Sequence, residues 1–122
     1  MQKTTFLNVD IDIYSKKNIN ALLKALRNAI VIQNQDSEGF TSISAKQHTK
    51  TINSAILNYY RIIEGLPKKE KDIWYSCNKR ILNIGIQGGA QPHEKPFTLS
   101  KKSIEYAQKL GAEIIFTVYG HQ

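Results

Sequence analysis

From Arg80 to Gly89 the chain runs Arg-Ile-Leu-Asn-Ile-Gly-Ile-Gln-Gly-Gly, and this stretch restricts the fold more than any other. Leu82, Ile84 and Ile86 alternate with Asn83, Gly85 and Gln87, a period of two that belongs to a strand with one buried face. Gly88-Gly89 ends it. Gly85 stands in mid-strand, where a missing side chain marks a bulge or the close approach of another group. A half-buried strand needs neighbours in a sheet and a second layer over its apolar face, so the other periodic segments must supply both.

In order along the chain, Leu7, Val9, Ile11 and Ile13 alternate with Asn8, Asp10 and Asp12, which predicts a strand over 5–14. Ser15 is placed to cap a helix whose stripe is Ile19, Leu22, Leu23 and Leu26. Residues 29–33 form a second strand, 34–39 a turn cluster, and 40–45 the hairpin partner. The longest helix is predicted over 50–64, on the stripe Ile52, Ala55, Ile56, Tyr59, Ile62 and Ile63, with Gly65 ending it in the left-handed conformation. Pro67 opens a further helix reaching residue 79, with Ile73, Trp74 and Cys77 inside.

After the pivotal strand come a loop over 88–96 containing His93 and a short strand at Phe97-Thr98-Leu99. A helix capped by Ser100 follows, with Ile104, Ala107 and Leu110 inward and Gly111 at its end; Ile114, Phe116 and Val118 then alternate in a last strand. The order up to the pivotal strand is that of the split βαβ plan. The predicted class is therefore α+β: a ferredoxin-like two-layer sandwich with an antiparallel or mixed sheet, helices on one face, and a C-terminal α-β extension. The 122 residues suit a single domain with one core.

Seventeen basic residues against ten acidic ones give a net charge of +7, which invites a nucleic-acid reading. The excess is spread along the chain, mostly as lysine, and arginine occurs only at positions 27, 61 and 80. A lone cysteine, Cys77, excludes an internal disulfide framework. The first residues lack the apolar run of a secretory leader, so the cytoplasm is the expected location. His48, His93 and His121 fall in unrelated places, and no metal, cofactor or catalytic residue is expected. Cys77 sits four residues after Ile73 on an inner face, as a small hydrophobe does.

With helices on one face, the opposite face carries Asn8, Asp10, Asp12, Asn83, Gln87, Thr117 and Tyr119. Two aspartates two residues apart on a strand are unusual, and their carboxylates project together. Two readings follow: a recognition surface, or a solvated face whose carboxylates are balanced by nearby lysines.

At Asn83-Ile84-Gly85-Ile86-Gln87, Phe97-Thr98-Leu99-Ser100, Leu110-Gly111-Ala112 and Thr117-Val118-Tyr119, with the opening Phe6-Leu7-Asn8-Val9-Asp10, the chain resembles small bacterial domains. Among these are immunity proteins of polymorphic or contact-dependent toxin systems, which bind and neutralise a competitor's toxin domain. The resemblance implies a non-enzymatic protein-binding module with a protein partner. That partner is expected on the face of Asn8, Asp10, Asp12 and Gln87, or on a rim formed by Arg80 and His93. The alternatives are a weak basic nucleic-acid-binding domain and a small enzyme using the polar sheet face.

Overall fold

The computed structural model describes residues 3–90 and 94–120. The elements are β1 (Thr5–Tyr14), α1 (Asn20–Leu26), β2 (Ile30–Gln35), β3 (Phe40–Ala45), α2 (Ile52–Glu64), α3 (Lys68–Ser76), β4 (Lys79–Gln87), α4 (Lys101–Lys109) and β5 (Glu113–Tyr119). The five strands form one sheet in the order β2-β3-β1-β4-β5. Pairings of β1 with β3, β1 with β4, and β2 with β3 are antiparallel, while β5 adds parallel to β4. The first four strands thus make the ferredoxin-like sheet, and α4-β5 extends it as the periodicities predicted.

Val9, Ile11 and Ile13 of β1, Ile43 of β3, and Leu82, Ile84 and Ile86 of β4 share one core with the helices. Leu22, Leu23 and Leu26 of α1 pack there, as do Ile52, Ala55, Ile56, Tyr59 and Ile63 of α2. Tyr59 also joins the layers by hydrogen bonds: its hydroxyl donates to the Val9 carbonyl at 2.7 Å and accepts from the Ala45 N–H at 2.9 Å. Val9 and Ala45 follow the last β1–β3 pair, Asp10 with Ser44, so the phenol is spliced into the ladder where the two strands part. Burial pushes the Tyr59 phenol well above its ordinary pKa, keeping it a neutral donor. Tyr59→Phe leaves a carbonyl and an amide without this partner, and we expect a loss of about 1–3 kcal/mol in urea titrations. An unchanged midpoint would show that the two groups pair directly once the hydroxyl is gone.

Several local expectations are corrected. A register shift between Phe6 and Asn8 makes a bulge at Leu7, which is exposed, while Phe6 packs on the core in its stead. Ser15 does not cap α1; its hydroxyl bonds Lys17, and the Asn18 carboxamide accepts the Asn20 N–H at the helix start. Gly65 ends α2 at φ −76°, not left-handed; the Leu66 N–H bonds the Ile63 carbonyl and Pro67 is extended, so the chain leaves the helix without a positive φ. α3 stops at Ser76, short of residue 79. Phe97–Leu99 is not a strand: Asn53 donates to the Thr98 carbonyl at 3.1 Å and accepts from the Ser100 N–H at 3.0 Å, replacing a ladder.

Ser100 caps α4 as expected, accepting from the Ser103 N–H. Its inner face is Ser103, Ala107 and Leu110, and Ile104 is exposed instead of buried. A 2.6 Å bond from the Ser103 hydroxyl to Asn53 turns that side inward. Gly111, at φ +65°, ends α4 with the Ala112 N–H bonded to Ala107 and its own N–H to Gln108, a Schellman arrangement. Among the hydrophobic residues of β5 only Ile114 is partly covered; Phe116 and Val118, expected inside, lie 47% and 64% exposed, beyond the reach of the short α4 on an edge strand.

Candidate functional site

The helices leave one side of the sheet open, and β1 runs down its middle. Asp10 faces Ser44 on β3 and Asn83 on β4, while Asp12 faces Ser42 and Ile81. Asn8 donates to Asp10 at 3.0 Å, Asn83 donates to Asp12 at 3.1 Å, and Thr117 donates to Asn83 at 2.7 Å. These bonds hold both carboxylates in place from three adjacent strands, since β5, β4 and β1 each contribute. The described ion pairs all lie elsewhere, at Lys68–Asp72, Lys71–Glu64, Lys79–Glu113 and Lys102–Glu105. The carboxylates on the sheet are therefore not balanced by lysine contacts among the described residues.

Partial burial, and then the charge of Asp12, raise the Asp10 carboxyl above its ordinary pKa. The sign follows from linkage: a carboxyl raised in the folded state favours folding while protonated, and that contribution is lost as pH rises through the folded value. Near neutrality the ionised Asp10 thus works against the fold.

Gly85 lies between Asn8 and the Tyr119 ring. A Cβ there would meet the Asn8 carboxamide oxygen at 3.0 Å and the ring at 3.7 Å, so the expected close approach is present. Aromatic groups also flank the carboxylates. Tyr14 and Phe40 pack with their rings tilted by 50° and 5.0 Å between centroids at one end, and Tyr119 is exposed on the other side. Tyr14 was not among the residues expected on this face, although a period of two puts it with Asp12, and Phe40 needed the β1–β3 register to bring it beside Tyr14. Ile81, buried on this same face, breaks the expected polar character and was concealed by its place beside Leu82.

Of the residues expected to meet a partner, Asn8, Asp10 and Asp12 come together. Gln87 shares their face, but its amide donates to carbonyls of Gly120, Tyr119 and Gly88, securing the end of β5. Arg80 falls on the helix side instead. Its Nη1 bonds the carbonyls of Trp74 at 3.0 Å, Tyr75 at 3.3 Å and Cys77 at 2.9 Å, and its Nε bonds Gly111 at 3.1 Å. The guanidinium thus closes the C-terminal end of α3, where unpaired carbonyls and the helix dipole favour a cation. His93 lies outside the described residues.

Cys77 is buried, its thiol donates to the Ile73 carbonyl, and burial pushes its pKa up, the reverse of an activated nucleophile. Among the described residues no three histidine, cysteine or acidic side chains converge as a metal site, and no helix is long and apolar enough to cross a membrane. Comparison with family models, curated proteins and solved structures finds no match to this chain.

Proposed function

We propose that the chain is a protein-binding module that docks its partner on the open sheet face, with Asp10 and Asp12 receiving lysine or arginine side chains. One observation carries the reading: two hydrogen-bonded carboxylates are held at the centre of an uncovered face with no ion-pair partner among the described residues. The raised pKa of Asp10 marks a local cost to the fold, of the kind that binding sites carry. Tyr14, Phe40 and Tyr119 add the aromatic groups that dominate binding energy at protein interfaces. The same carboxylates repel phosphate, which favours a protein over a nucleic acid on this face.

The resemblance to immunity proteins makes the specific partner a toxin domain, and the activity its neutralisation. Inhibitors of nuclease toxins are commonly acidic, whereas this chain carries +7, so here the acidic pair would supply the complement locally. The partner is recovered by co-purification with the tagged chain and titrated against the Asp10→Asn, Asp12→Asn double variant. Loss of a desolvated charge contact predicts a weakening of about 2–5 kcal/mol. Asp10→Asn alone should be no less stable than the parent near neutral pH, since it removes a carboxylate that the fold disfavours. Unchanged affinity in a folded double variant excludes this face. Failure of the chain to protect cells expressing the recovered partner excludes the immunity role while leaving the docking face standing.

A further inference from the structure

Away from the open face, a cavity of about 720 Å³ lies where β1 begins beside the start of α2 and the segment before α4. That volume falls within the range of roughly 300–1,000 Å³ typical of small-molecule sites. Lys3, Lys50 and Lys95 line it, and among the described residues no aspartate or glutamate does, although Glu94 precedes Lys95 in the chain. Phe6, Phe97 and the buried Ile52 give it an apolar wall. The three lysines come from sequence positions far apart, so the fold gathers in one concavity charges that are dispersed along the chain. The first turn of α2 also borders the cavity, and the Ile52 and Asn53 amides have no acceptor among the described residues.

We propose that this cavity binds a small organic phosphate, a phosphate monoester carrying a flat apolar body. Three ammonium groups with no neighbouring carboxylate in the lining suit an anion carrying more than one charge, and a phosphate monoester carries about −1.5 to −2 at neutral pH. Lysine binds phosphate as a compact point charge from variable directions, whereas a carboxylate is matched best by the planar fork of arginine, which is absent here. The apolar wall gives a ring a place to lie, which a bare inorganic anion leaves unused. The site shares no residue with the Asp10 and Asp12 face, so it stands or falls separately from the docking reading.

The test is calorimetric titration of the whole chain with phenyl phosphate near 0.15 M salt, where long-range attraction to a basic protein is largely screened. Expected are saturable binding at one site and a loss of roughly tenfold or more in the Lys50→Gln, Lys95→Gln variant, the size that losing charge-assisted hydrogen bonds implies. Both lysines are exposed, so the core is untouched. Lys16→Gln, Lys17→Gln removes equal charge outside the cavity and should bind like the parent. Amide shifts in the parent should centre on Ile52 and Phe97, a readout that needs no variant. The proposal is overturned by absence of saturation, by equal weakening in both double variants, or by shifts elsewhere. Inorganic phosphate binding as tightly as phenyl phosphate removes the apolar body, and phenol binding as tightly removes the phosphate.

Discussion

Trp74→Ala is expected to cost about 3–5 kcal/mol, the range for truncating a large buried aromatic. Trp74 is fully buried and is the one buried residue of α3, whose remaining positions are mostly charged or polar. Its indole N–H donates to the Leu110 carbonyl at 3.0 Å, so one side chain ties α3 to the end of α4. Truncation opens a cavity and also strips a carbonyl of its partner at the turn into β5. Trp74→Phe separates the two effects: it keeps most of the packing, loses the hydrogen bond, and should cost clearly less. Because the chain has a single tryptophan, unfolding must be followed by circular dichroism in denaturant, not by fluorescence. A loss below about 1 kcal/mol would show that α3 is held mainly by other contacts.

Ile84→Ala should lower stability by about 2–5 kcal/mol, while its neighbour Asn83→Ala loses far less. Ile84 is fully buried in the middle of β4, beneath the helical layer. Asn83 points to the open face, where its bonds to Asp12 and Thr117 stay close to water and contribute modestly. Equal losses in the two variants would mean that the strand face or register of β4 is wrong, and a larger loss at Asn83 that its two faces are exchanged. The comparison tests register directly, because a slip of one residue exchanges inside for outside along the whole strand.

That alternation was written in β4, as it was in most of β1, and the helical stripe of α2 was equally plain. These segments carry their burial pattern in their own spacing, so local periodicity was enough to place an α+β sheet with helices on one side. It was also enough to put Asp10 and Asp12 on the opposite face and to give Gly85 a reason to be glycine. Ser100 as a cap and Gly111 as a helix end were legible for the same reason: each acts on backbone only a few residues away.

The features that spacing could not foretell depend on partners distant in the chain. The bulge that turns Leu7 outward exists only in register with β4, and Ser103 takes the inward place expected of Ile104 only because Asn53 is there to accept its hydroxyl. Phe97–Leu99 gave up a strand to the same asparagine, and Phe116 and Val118 stayed exposed because β5 ended at the sheet edge. Arg80, adjacent in sequence to the open-face strand positions, was drawn to the carbonyls of α3 and to Gly111. The absence of a lysine contact at Asp10 and Asp12 among the described residues, and the gathering of Lys3, Lys50 and Lys95 around one cavity, belong to the same class. Spacing along the chain was enough to mark the apolar faces of α2, β4 and most of β1, but not those of α4 and β5, where Ile104, Phe116 and Val118 lie exposed. Which charges meet, which helix end is closed and where a cavity remains were settled only by three-dimensional packing, because those depend on separations through space that a linear pattern does not encode.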